Sequence, residues 1–177
     1  MTSLAGIKAI SFDVDGTLWD FYSAARSALG RVFAELEQVG PKPAKVLDVA
    51  TFVEIRDRAH DELRGVVTKK YALGIISNGI SYPKNFGLEG LIAFAVYSKD
   101  HCGIEKPDPR IFRIALEKSG CRPHSLLHVG GSLETDVAGA RSAGIRSVWL
   151  NRGGRERDGD AEPDREIRSL RGLVELL

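Results

Sequence analysis

Cysteine is nearly absent. Cys102 and Cys121 are the only two in 177 residues, and they form no Cys-x-x-Cys pair. A disulfide framework and a zinc cage are therefore unsupported; both cysteines are expected to be buried as small apolar side chains, and the compartment to be reducing and cytoplasmic. Charge of one sign is missing as well: 25 Lys and Arg face 24 Asp and Glu, a formal net charge of +1. Without a basic stripe there is no electrostatic footprint for nucleic acid. No apolar run reaches the length of a membrane span, and the opening Met1-Thr2-Ser3-Leu4-Ala5-Gly6 lacks the basic flank and cleavage site of a secretory signal. Nucleic acid and membrane are thus not expected as partners, and oligomeric state stays open. Also missing are the Gly-x-x-x-x-Gly-Lys-Ser/Thr loop, the Gly-x-Ser-x-Gly elbow and the Gly-x-Gly-x-x-Gly fingerprint, which leaves Walker-type nucleotide hydrolysis and serine-hydrolase chemistry without support.

What is present is the make-up of one globular domain, 43% apolar and 28% charged. Five strand-sized apolar runs recur at 7–12, 71–76, 91–97, 125–129 and 146–150. Helix-period segments separate most of them. One runs over 20–39, with a stripe from Phe21 to Val39 ended by Gly40-Pro41, and another over 44–64. A third is capped by Asp108 and stopped by Gly120; a fourth is capped by Ser132 and stopped by Gly144. Residues 152–166 read as a solvated charged loop and 167–177 as a terminal helix. Such alternation predicts an α/β fold, a doubly wound parallel sheet covered on both faces.

In such sheets ligands gather beyond the carboxyl ends of the strands. Here the first run ends in Asp13-Val14-Asp15-Gly16-Thr17-Leu18, the second in Ser77-Asn78-Gly79, and the fourth in Gly130-Gly131-Ser132 with Glu134 and Asp136 beyond; Lys106 opens Lys-Pro-Asp-Pro after the third. Residues two apart in extended chain project to one side, so Asp13 and Asp15 can share a cavity. One carboxylate can attack phosphorus; the other can hand a proton to the leaving oxygen and later take one from water. Lys106, Ser77 and Asn78 offer the charge and donors that a phosphate needs.

This ordered set resembles the haloacid dehalogenase (HAD) superfamily, and within it the phosphoglycolate phosphatase-like branch whose cap follows the first motif. The resemblance covers 7–18 and 71–150. It implies a Rossmannoid core over 1–18 and 67–177, with 19–66 supplying a short helical cap and room for one core helix. It also implies a magnesium-dependent hydrolase acting on a small phosphorylated substrate. Asp13 matches the nucleophile that becomes an aspartyl-phosphate and Asp15 the general acid and base, an acid that the dehalogenases lack. Ser77 matches the phosphate-binding hydroxyl and Lys106 the phosphate-site lysine that orients the nucleophile and offsets charge, with Asn78 beside them as a further phosphate-binding candidate. Mg2+ would be held by the Asp13 carboxylate, the Asp15 carbonyl and, through water, Asp136, with Glu134 as a substitute candidate; on its own, Glu134 reads better as an exposed first-turn acid.

Two departures qualify the match. The usual fourth-motif metal aspartate is replaced by Gly131, and about fifty residues between the first motif and the second strand leave little room for both a cap and a core helix. The alternative reading is a HAD-fold protein of little or no activity that binds a phosphorylated ligand or a protein. His128 falls in the fourth strand pattern, so it should pack near the site rather than pair with His124 on a metal.

Overall fold

The computed structural model describes residues 4–18, 71–82 and 89–177. The cap and the helices expected over 20–39 and 44–64 lie outside the described residues.

Six parallel strands form the sheet: β1 (Ala9–Phe12), β2 (Ala72–Ser77), β3 (Ile92–Tyr97), β4 (Leu126–Gly130), β5 (Arg146–Leu150) and β6 (Arg165–Ile167). Their order is β3-β2-β1-β4-β5-β6. The chain builds outward from β1 one way and from β4 the other, so the switch point lies between β1 and β4, where Phe12 pairs with Val129. A crevice opens there in folds of this kind.

Period-two alternation divides the core. Ile10, Phe12, Leu73, Ile75, Leu127, Val129, Val148 and Leu150 pack on one face with Leu170 and Leu173. Helix α1 (Pro109–Ser119) covers the other through Ile111, Phe112 and Ala115, which meet Ala9, Ile76, Val96 and Leu126. As expected, Asp108 caps α1, accepting from the Arg110 N–H, and Gly120 closes it in the left-handed conformation. The segment after β4 begins at the Ser132 cap, but its first stretch, Leu133–Ala138, is π-helical before one α-helical turn, α2 (Gly139–Ser142).

Three expectations are corrected. Residues 152–166 are not all loop, because Arg165–Ile167 adds β6 to the sheet edge beside β5. The terminal helix is accordingly short, α3 (Arg171–Leu176), and Ile167 belongs to the strand. Cys102 is exposed, in a left-handed turn that ends a short 3-10 segment, and Cys121 is half-buried; neither is the buried apolar group that composition suggested. No helix among the described residues is long and apolar enough to cross a membrane.

Candidate functional site

The carboxyl ends of β1, β2 and β4 converge on a cavity of about 420 Å3 lined by Asp13, Asp15, Asn78, Lys106, Asp136 and Arg155, among others. Asp13 directly follows β1, and its N–H still donates to the Val129 carbonyl of β4 at 3.0 Å. The chain then turns sharply: Thr17 N–H donates to the Val14 carbonyl at 3.2 Å, and Gly16 takes φ 88°, the left-handed position that glycine fills without strain. The turn carries Thr17 Oγ1 back to Asp13 Oδ2 at 3.2 Å.

Lys106 lies at the centre. Its Nζ reaches Asp13 Oδ1 at 2.7 Å and Asp136 Oδ1 at 2.6 Å, with the ammonium almost wholly buried. Asn78 fixes the lysine's backbone from both ends: its Oδ1 accepts the Lys106 N–H at 2.7 Å and its Nδ2 donates to the Lys106 carbonyl at 3.0 Å. Asn78 therefore lines the cavity while its amide is engaged in holding Lys106. Ser77 is fully buried at the end of β2, and its Oγ accepts the Gly79 N–H at 3.0 Å. Gly79 lets the Asp15 carboxylate lie close against its backbone, where a Cβ would push that carboxylate aside. Asp15 is exposed and its Oδ1 accepts from Ser81 Oγ at 2.6 Å.

Asp136 is brought in by the π-helical turn. Its Oδ2 accepts the Ser132 N–H at 2.9 Å, and its Oδ1 meets His128 Nε2 at 3.3 Å. His128 is fully buried on β4, its Nδ1 3.0 Å from Ser11 Oγ. With Nε2–H directed at the carboxylate, Nδ1 accepts from the serine. The electrostatics follow from these contacts. Burial pushes the Asp13 carboxyl above its ordinary value, against the pull of Lys106. Burial would also raise Asp136, but Lys106 and His128 outweigh it and hold that carboxyl well below the usual range. Burial favours neutral Lys106, yet the two carboxylates prevail and its pKa rises. His128 is lowered by burial, with Asp136 opposing.

Glu134 does not join the site. It is exposed and borders a separate cavity with Leu133, Arg141 and Ala161. His124 is likewise exposed, on a short 3-10 turn before β4, well away from the pairing of His128 with Asp136. Ser11, Thr17, Ser81 and Arg155 also take part, and none of them is marked as a site residue by the sequence. Thr17 lay inside the first motif and was the most accessible of these; Arg155 sits in a stretch whose glycines and mixed charges read only as solvated.

Among the described residues few oxygens could serve a magnesium ion. The Asp13 carboxylate and the Asp15 backbone carbonyl would be the donors; Asp13, held by Lys106 and Thr17, and Asp136, held by Lys106 and the Ser132 N–H, each have both oxygens engaged, and Gly131 adds no carboxylate. No group of three or more His, Cys, Asp or Glu side chains suited to a metal occurs among the described residues. Magnesium keeps several waters and takes one or two carboxylates beside a phosphate, so hard oxygens bordering an open cavity fit it.

A HAD-hydrolase-like family model matches residues 103–173. The phosphoserine phosphatase of Thermus thermophilus is 37% identical over 153 residues, an alignment that spans 80% of this chain and 61% of that protein. The pyrimidine 5'-nucleotidase YjjG of Escherichia coli K12 is 31% identical over 180 residues, with coverage of 93% and 79%. A crystal structure of a 2-haloacid dehalogenase from Pseudomonas syringae superposes with a TM-score of 0.69 at 28% identity, covering 96% of this chain and 97% of that one. Sheet order, strand-end chemistry and similarity along most of the nucleotidase lead to one conclusion: the chain belongs to the haloacid dehalogenase superfamily of hydrolases.

Proposed function

We propose that the protein is a phosphomonoester hydrolase that works through an aspartyl-phosphate on Asp13, assisted by magnesium. The observation that carries this reading is the Asp13 carboxylate, held by Lys106 at 2.7 Å and Thr17 at 3.2 Å in one cavity with Asp15. Held in this way, the carboxylate keeps a fixed direction of attack.

In the first step an Asp13 oxygen forms a bond to phosphorus as the bond to the leaving oxygen breaks, and Asp15 passes its proton to that oxygen. In the second, water attacks phosphorus, its proton goes to Asp15, and the Asp13–phosphorus bond breaks to release phosphate. Asp15 suits the shuttle because it is exposed, borders the cavity beside Asp13, and has the Ser81 hydroxyl as its one described hydrogen-bond partner. Lys106 offsets the charge of Asp13 and Asp136 as the phosphoryl group arrives. Magnesium, held by the Asp13 carboxylate and the Asp15 carbonyl, would neutralise phosphoryl charge. The presence of Asp15 favours phosphate esters over haloacids, since carbon–halogen cleavage needs no proton on the leaving group. Relatives named as phosphoserine phosphatase and pyrimidine 5'-nucleotidase point to a small phosphorylated metabolite as substrate.

A second reading rests on Gly131: with one carboxylate fewer, the site binds a phosphorylated ligand and turns it over slowly or not at all. Hydrolysis of p-nitrophenyl phosphate across a wide magnesium titration separates the two. Turnover that needs high magnesium and vanishes in Asp13→Asn supports the hydrolase; silence of the parent at every magnesium concentration, with phosphate still bound, supports the binding protein.

A further inference from the structure

Among the described residues one cation besides Lys106 lines the cavity, and it comes from a part of the chain outside all four motifs. Arg155 follows β5 and borders the cavity with Asp13, Asp15, Lys106 and Asp136. Its backbone is fixed by a buried clamp: Asn151 donates Nδ2 to the Arg155 carbonyl at 2.8 Å, accepts the Arg155 N–H at 2.9 Å, and donates to Glu166 Oε1 of β6 at 2.7 Å. The guanidinium donates from Nη2 to the Gly131 carbonyl at 2.9 Å, and its carbon lies 5.9 Å from the centre of the Trp149 ring. Trp149 Nε1 donates to the same carbonyl at 3.2 Å. Among the described residues no carboxylate pairs with Arg155. A guanidinium carries five N–H donors, so most of them remain for a ligand.

Charge gives those donors a purpose. A phosphoryl dianion entering the cavity meets the carboxylates of Asp13, Asp15 and Asp136, while Lys106 is already shared between two of them. Gly131 adds no carboxylate that would draw in a dication, and Arg155 lies against that glycine's carbonyl. We propose that Arg155 is a phosphate-binding residue of this site, its guanidinium hydrogen-bonding the non-transferring phosphoryl oxygens and supplying positive charge that the Gly131 position does not recruit through a metal. The assignment rests on the phosphatase reading for the identity of the ligand, and is independent of turnover.

Inorganic phosphate is the probe, titrated calorimetrically into the full chain without magnesium. Arg155→Gln removes the charge yet keeps a donor for the Gly131 carbonyl, so loop position and charge are tested apart; Arg155→Lys keeps charge without the fork. Arg157, on the same loop but paired with Glu166 at 3.6 Å, supplies the control Arg157→Ala. The expected result is a loss of roughly tenfold or more in phosphate affinity for Arg155→Gln, partial recovery in Arg155→Lys and none lost in Arg157→Ala. Equal affinity in parent and Arg155→Gln, an equal loss in Arg157→Ala, or no phosphate binding by the parent at millimolar concentration overturns the assignment. Turnover of p-nitrophenyl phosphate is read separately. A parent that binds phosphate through Arg155 without hydrolysing the ester sustains the assignment and removes the hydrolase; an active parent whose phosphate affinity ignores residue 155 does the reverse.

Discussion

At the scale of single residues, the decisive positions are Asp13, Asp15 and Gly131. Replacing Asp13 with Asn keeps the shape and removes the nucleophile, so turnover should fall to the uncatalysed background. Asp15→Asn should lower kcat by about 10^2 to 10^4-fold, the usual worth of a positioned general acid and base, and steady-state kinetics with p-nitrophenyl phosphate reads both. Gly131 is informative because it need not be glycine. It is not in the left-handed region, and a Cβ there would meet Thr17 Oγ1 at 3.5 Å and the Gly16 carbonyl at 3.6 Å, ordinary contacts. Gly131→Asp should therefore fold like the parent, bring a carboxylate beside the first motif, and raise magnesium affinity by at least roughly tenfold. The half-saturating magnesium concentration of turnover measures it, and an unchanged value would mean that the glycine is not what limits metal binding. These positions were legible in the sequence because the chemistry is local: an acid two residues from another, a glycine where an acid is usual. Lys106 as the partner of Asp13, 93 positions away, was reached only through the family resemblance, and Ser81, which meets Asp15 across 66 positions, carries no signal in the sequence at all.

At the scale of elements, legibility followed apolar length. The run at 146–150 coincides with β5, and the four other runs differ from their strands by one or two residues at an end, because a strand buried on both faces is a nearly continuous apolar stretch. β6 escaped notice because an edge strand of three residues, Arg165–Ile167, buries only Ile167. The π-helical turn escaped because its residues carry an ordinary helical spacing, and only the bond pattern, with Asp136 and Val137 N–H both donating to the Ser132 carbonyl, shows the widened geometry. Asn151 ties the β5-to-β6 connection at its start, since it joins the Arg155 backbone to Glu166 while its own N–H donates to the Ile167 carbonyl at 2.8 Å. Asn151→Ala leaves the Arg155 carbonyl and N–H without their partner and should cost about 1–3 kcal/mol of stability. Hydrogen exchange should quicken at Arg155 before it does at Val148 on β5. Uniform quickening across the sheet would mean that the asparagine supports the fold at large rather than this connection.

At the scale of the whole molecule, Lys106 acts as a cross-link between distant parts of the chain: one ammonium joins the turn after β1 to the π-helical segment after β4. The charges are buried, so the cluster has a sign in pH. Asp136, held low by Lys106 and His128 against its burial, contributes stability that is present above about pH 4, its ordinary value, and lost as pH falls through the depressed one. Lys106, raised by the two carboxylates against its burial, contributes stability present below its ordinary value of 10.5 and lost as pH climbs past it. Asp13 runs the other way. Burial raises it, so its ionised form is a cost at neutral pH that acid relieves. Lys106→Met keeps the stem's apolar bulk and strands two buried carboxylates, which should cost about 3–5 kcal/mol at pH 7. Urea unfolding at pH 7 and at pH 4.5 should then show the deficit shrinking in acid, because Asp13, already raised and now without its cation, takes up a proton first. A deficit of equal size at both pH values would mean that Lys106 holds the three segments by packing alone, and that the charge balance described for the cavity is not what fixes Asp13 in place.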